Sequence, residues 1–244
     1  MKPALAKLFE RLGKSMVGDY RAMHPQRNPV VSLRNNAKKL GRVIRQYSFL
    51  SKHAVPFLEN SNRVLRKNGW RSLAEQIEEN IAEERGKAQE AAHYEIFCRG
   101  AKNELALDLK RTRASDASKA FVKRWLEISR HARPEFVAGA LYAFELTGVP
   151  EMSLVKALLN DYSTHALGRP LDRKGRLAKF FDSHTGHFEV KHAQRIRDNV
   201  GAHLNTKAQH GLFAKGFHEL MGAMDGWWAG MAAEAARTGV KKKP

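Results

Sequence analysis

The 244-residue chain has one cysteine, Cys98, which excludes a disulfide framework and any cysteine-rich zinc or iron–sulfur centre. A metal, if held, would have to be bound by oxygen and nitrogen. Prolines number only 8, and strand-like alternation of β-branched and aromatic residues is scarce, so the expected fold class is all-α. No run of about eighteen apolar residues is present, and the N-terminus lacks a secretory signal. The expected localisation is cytoplasmic. Acids are also few: 25 Asp and Glu against 43 Lys and Arg leave a net charge of +18. That excess would suit an anionic partner such as nucleic acid, but it is unevenly spread. Residues 1–53 hold twelve basic residues and two acids, Glu10 and Asp19, and Lys241–Lys243 add three more charges. The long middle of the chain is therefore nearly balanced, which makes nucleic acid an unlikely partner.

What is present is helical periodicity. Leu5, Leu8, Phe9, Leu12 and Met16 share one face of a helix over 3–17, with Lys7, Arg11 and Lys14 opposite. This helix either packs on its own domain or makes a weak contact with an anionic membrane surface or a partner. The prolines of His24–Pro25 and Asn28–Pro29 suggest a linker. The expected organisation is a basic arm over 1–30, a helical domain over 31–238 and a basic tail over 239–244. Within the domain the expected helices are 33–67, 70–85, 88–112, 115–131, 134–147, 151–166, 172–205 and 208–237. Asn68–Gly69, Gly86 and Gly148-Val149-Pro150 supply the punctuation.

Two Glu-x-x-His pairs occur, Glu90/His93 and Glu189/His192, a spacing that metal-binding bundles use. The numbers of acids and histidines already give about one such pair by chance, so the spacing decides nothing. More telling is Glu145, a single carboxylate in the otherwise apolar run from Phe136 to Phe144, which needs a charge partner or a metal to offset its desolvation. His184, His187, Glu189 and His192 form the densest group of ligand-type residues and follow Phe180–Phe181. Glu83 and Glu84 close a helix, where either is equally at home as surface charge.

Three segments taken in order, Asn80-Ile-Ala-Glu-Glu84 with His93, Leu141-Tyr-Ala-Phe-Glu145, and Phe180-Phe181-Asp-Ser-His184 with Glu189 and His192, resemble the haem-oxygenase-like di-iron oxidase and oxygenase superfamily. The resemblance covers roughly residues 40–205. It implies a seven-helix bundle without haem, preceded here by the basic amphipathic helix. It also implies two Fe(II) ions per chain, dioxygen as co-substrate, and a small amino-acid-like or fatty-acid-like molecule that is N-oxygenated, desaturated or cleaved. On this basis Glu84 and His93 serve the first metal, Glu145 bridges, and His184, Glu189 and His192 form the second set. Glu83, His187 and Glu59 are the substitutes, Tyr94 and Tyr142 are expected to line a substrate pocket, and a homodimer is possible.

One departure stands out: His184 and Glu189 are one residue further apart than the superfamily's pattern. At about 100° per residue this sets Glu189 and His192 about 140° and 80° round the helix from His184, too wide for one site. A π-type insertion after His184 would restore a common face. Metal-free enzymes related to thiaminase or to quinone-cofactor synthases share the same fold, and for them Cys98 would be the candidate nucleophile, although Phe97 and Arg99 offer it no base.

Overall fold

A computed structural model describes residues 2–24, 26–86, 91–185 and 189–237, without the side chains of Ser183, Glu189 and Val190. Among the described residues there are nine α-helices and no strand: α1 Pro3–Gly18, α2 Ala37–Lys67, α3 Arg71–Glu84, α4 His93–Leu105, α5 Asp116–Ser129, α6 Pro134–Leu167, α7 Arg176–Ser183, α8 Glu189–Val200 and α9 Lys207–Arg237. A 3₁₀ turn, Pro29–Leu33, precedes α2. Local chemistry sets several ends. The Asn36 side chain accepts the Lys39 amide at the start of α2, the Ser115 side chain accepts the Ser118 amide at the start of α5, and Gly168 closes α6 at φ +67°.

The count of nine equals the eight helices expected in the domain plus the N-terminal one, but two boundaries differ and offset each other. Residues 134–147 and 151–166 form one helix, because Pro150 lies inside α6. Proline removes one amide from a 34-residue helix that is buried along most of its length, and tertiary contact outweighs that loss. Of the stretch expected as one helix over 172–205, the described residues are α-helical over α7 and α8. The backbone passes into π-helical geometry at His184–Thr185, after which α8 starts at Glu189. The helix expected over 88–112 shortens to α4, which ends at Ala106 in the left-handed region.

Helix α6 is apolar on nearly every side and forms the axis of the molecule, touching α9, α2, α8, α5, α7 and α4. It lies antiparallel to α2, with Phe144 against Phe57 and Met152 against Tyr47. It lies parallel to α9 in a fixed register. Thr147 faces Met224 and Glu151 faces Trp228, one turn further along both helices. At the other end of this contact the two backbones meet at Gly139 and Gly216. A Cβ on Gly139 would overlap the Phe213 carbonyl, and one on Gly216 would overlap the Phe136 carbonyl. Around this axis Phe121 stacks on Trp227 at 4.4 Å and Phe57 on Trp125 at 4.7 Å.

The N-terminal helix is part of this body. Leu5, Leu8, Phe9, Leu12 and Met16 are buried, and the Phe9 ring meets Tyr142 at 5.0 Å and Phe213 at 5.6 Å. Five such side chains contribute on the order of 10 kcal/mol of gross burial energy, before ordering entropy is set against it. The apolar face is thus occupied by the bundle, while Lys7, Arg11 and Lys14 remain exposed. No helix among the described residues is long and apolar enough to cross a membrane.

Replacing Gly216 with Ala forces two backbones apart rather than one side chain aside. The expected loss is about 2 kcal/mol or more, read as a lower urea midpoint with helical content retained at low denaturant. An unchanged midpoint would mean that the crossing yields easily.

Candidate functional site

Two antiparallel helix pairs bring the ligand-type residues together against α6. Helices α3 and α8 are held side by side by Gln76 with Asn199, Glu79 with Arg195, and Glu83 with His192. Helices α4 and α7 are joined through Glu104 with the Leu177 amide, Phe97 with Phe180 and Phe181, and His93 with His184. The C-terminal ends of α3 and α7 and the N-terminal ends of α4 and α8 therefore meet at one level, beside Glu145 of α6. They border a cavity of about 340 Å³. Glu83, Glu84, His93, Glu145, His184 and His192 form its polar end, and Leu50, Ala54, Leu58, Phe144, Met152 and Phe180 supply an apolar wall.

The polar groups fall into two strings. In the first, His93 Nδ1 lies 3.3 Å from Glu84 Oε1 and 3.2 Å from His184 Nε2. In the second, His192 sits between two carboxylates, with Nε2 3.1 Å from Glu83 Oε2 and Nδ1 3.3 Å from Glu145 Oε2. Glu145 is only 3% exposed, and its other oxygen accepts the Asn80 side-chain amide at 2.8 Å. Burial works against a charged His192, but the carboxylates of Glu145 and Glu83 outweigh it and hold the imidazolium above the ordinary histidine range. His184 goes the other way: burial, reinforced by His93, favours its neutral form. Its Nδ1 is 2.7 Å from the Phe180 carbonyl, and donating there leaves Nε2 with its lone pair towards His93.

Among the described residues no three of these side chains enclose a space that would hold an ion as they stand. Each instead neighbours the next in line. The donor set nevertheless fits a hard or borderline metal. Donors at about 2.1 Å on an octahedral ion stand about 3.0 Å apart, close to the 3.1–3.3 Å spacings within each string. The Phe180 carbonyl behind His184 is also the kind of outer partner that orients a ligating imidazole.

The expected residues are placed unequally. Glu84, His93, Glu145, His184 and His192 gather at the cavity, and Glu83 joins them as a full member rather than a substitute. His184 pairs with His93, not with the second set to which it was expected to belong. Glu59 does not reach the cavity: it pairs with Arg85 in an outer cleft, one residue round α2 from the cavity-lining Leu58. His187 lies outside the described residues, as does the side chain of Glu189. Neither tyrosine lines the cavity among the described residues. Tyr142 packs with Phe9, Phe213 and Phe217, and Tyr94 turns towards Cys98. Cys98 is buried away from the cavity, and burial pushes its thiol up, the wrong direction for a nucleophile. Sequence reasoning missed Asn80, which orients Glu145, and Glu151, which lines the cavity and accepts a hydrogen bond from Trp228 Nε1 at 3.0 Å. Glu151 follows Pro150, and an acid just after an apparent helix break reads as an ordinary first-turn residue.

The architecture is that of the all-helical haem-oxygenase-like bundles, a class that includes the TenA proteins. A TenA homologue from Pseudomonas syringae pv. tomato superposes with a TM-score of 0.63 over 95% of this chain and 91% of its own, at 12% identity. One from Pyrococcus furiosus gives 0.59 over 94% and 98%, at 16% identity. Within this class, residues 6–234 match the family described as a domain of unknown function with solved structure, DUF3865, and the chain belongs to that family. A CADD-like protein of unknown function from Nostoc punctiforme PCC 73102 is similar at 28% identity, with a TM-score of 0.88 over 96% of this chain and 99% of that one. Comparison with curated proteins finds no match.

The raised His192 pKa gives a signed expectation for chelator-treated protein. The stability it confers is complete below the unfolded histidine value of about 6.5 and is lost as pH rises through the higher folded value. His192→Gln should therefore cost most near pH 6 and progressively less towards pH 9, as read from urea midpoints. A cost that does not vary with pH would mean that the two carboxylates do not hold the imidazolium.

Proposed function

We propose that this chain is a non-haem iron enzyme that binds two Fe(II) ions at the polar end of the cavity and uses dioxygen to oxidise a small organic molecule held against the apolar wall. The observation that carries this reading is the pair of strings. Glu84, His93 and His184 form one ligand set, Glu83, His192 and Glu145 the other, and all six come from five different helices to one wall. Two irons held there would supply the electrons that reduce dioxygen and so make it competent to attack unactivated bonds.

The residues around the site serve this reading without further assumption. Asn80 fixes one oxygen of Glu145 and leaves the other turned to His192. Histidine 184 presents Nε2 because the Phe180 carbonyl holds Nδ1. His192 must give up a proton before it can ligate, so metal uptake competes with the ion pairs to Glu83 and Glu145 and weakens at low pH. Phe144, Phe180, Leu50 and Leu58 exclude water from the space where the substrate would lie.

A metal-free activity of the same fold is the second reading. It is favoured by the way the strings already satisfy one another, and by the likeness to the TenA homologues. It cannot employ Cys98 as the nucleophile, since that thiol does not open on the cavity.

Anaerobic loading with Fe(II), followed by metal analysis, separates the two readings. About two irons per chain are expected for the wild type, and fewer than one for Glu145→Gln at unchanged helical content. Wild-type protein that retains less than one iron, or a variant that loads normally, would overturn the iron reading.

A further inference from the structure

Glu151 has no role in either string. It lies six residues beyond Glu145 on α6, about 9 Å along the axis, and faces the same cavity. It is 4% exposed, and among the described residues Trp228 is the only side chain that hydrogen-bonds it, at Oε1. The α2 residues that line the cavity with it include Leu50, Ser51 and Ala54, apolar or weakly polar, and Met152 follows it on α6. Burial pushes its carboxyl up to about 8, and the Trp228 indole only partly restrains that rise.

Acids dominate the lining of the cavity. Four glutamates line it, and among the described lining residues there is no Lys or Arg, in a chain that has 43 of them. Two irons at the polar end would satisfy Glu83, Glu84 and Glu145. Glu151, at the far end, would remain without a counter-charge. A ligand bearing a carboxylate would meet four carboxyl groups, and the His192 imidazolium is already shared between Glu83 and Glu145. A ligand bearing an ammonium would supply the missing charge, and in so apolar a setting the ion pair is the arrangement that lets Glu151 ionise.

We propose that Glu151 is the substrate-recognition residue of the cavity, and that the molecule it selects is a compact primary amine whose ammonium pairs with Glu151 while its apolar body runs along α2 towards the polar end. This deepens the iron-enzyme reading by naming the substrate class, but the binding step itself requires no metal. The free acid of an apolar chain, one of the two substrate types implied by the resemblance, is thereby disfavoured.

The test uses chelator-treated full-length protein with butylamine and pentanoate as matched probes, and binding is read by ligand-observed NMR and calorimetry near neutral pH. Butylamine should bind the wild type, bind Glu151→Gln at least tenfold more weakly, and bind Trp228→Phe, which keeps the carboxyl, nearly as well as the wild type. Pentanoate should bind none of them measurably. If Glu151→Gln does not fold, Glu151→Asp, which withdraws the charge by one methylene, should show the same loss. The proposal is overturned if pentanoate binds as tightly as butylamine, if butylamine fails to bind the wild type, or if Glu151→Gln keeps wild-type affinity. Iron loading is measured on the same variants. Normal loading of Glu151→Gln is expected, and a loss of iron there would make Glu151 a metal ligand and overturn this assignment. Wild-type protein that takes up no iron, yet binds butylamine through Glu151, would remove the iron reading and leave this one standing.

Discussion

The organisation of this protein follows from one electrostatic problem, the burial of Glu145 at the end of the apolar run Phe136–Phe144 of α6. A carboxylate at 3% exposure must be answered by neighbours, and the chain does so with the Asn80 amide and the His192 imidazole rather than with lysine or arginine. That choice packs α8 against α6 and ties in α3 through the Asn80–Glu145 hydrogen bond. It also brings Glu83 within reach of the same imidazole, so that one histidine is shared between two acids. The neighbouring α4–α7 pair repeats the solution with different proportions, using two histidines for one acid. Three carboxylates against one imidazolium, with no Lys or Arg among the described lining residues, leave further positive charge to be supplied from outside. This is the physical basis for expecting metal at one end and an ammonium at the other.

Charge is consequently arranged in layers. The outside is strongly basic, most of all along α1 and the first part of α2, whereas the described lining of the cavity is acidic. Net charge alone would have pointed to a polyanionic partner. The location of the charge separates the two questions, because surface cations govern solubility and weak surface contacts while the cavity governs what reacts. The N-terminal helix illustrates this: its apolar face is absorbed by Tyr142 and Phe213, and only its basic face meets solvent.

Much of the bundle was legible in the sequence because helical periodicity is a local property. The apolar face of α1, the helix after Ser115 and the long helix after Thr206 all follow from residues three and four apart. The gathering of Glu84, His93, Glu145, His184 and His192 was legible through the order of the motifs, and the π geometry at His184–Thr185 falls where the extra residue required a local change of pitch. What was not legible depends on which face of a helix turns inward. Glu59 and Leu58 are adjacent, yet only Leu58 lines the cavity. Tyr94 follows His93 in sequence yet turns towards Cys98, and Tyr142, three residues before Glu145, packs with Phe9 and Phe213 and does not line the cavity among the described residues. Pro150 looked like an ending, and that concealed Glu151, because whether a helix survives its proline is decided by neighbouring helices and not by the proline.

The parallel alignment of α6 with α9 has a consequence for how distant parts of the molecule communicate. Gly139 and Gly216 each stand twelve residues before Glu151 and Trp228, so the same length of helix separates the backbone crossing from the indole–carboxyl hydrogen bond on both sides. The two helices behave as a pair of graduated rods clamped at one end. Bulk added at the clamp would act on the same two helices that carry Trp228 and Glu151 about 18 Å further along. The small size of Gly139 and Gly216 thus sets the spacing of the two helices whose far turns present Glu151 and Trp228 to one another.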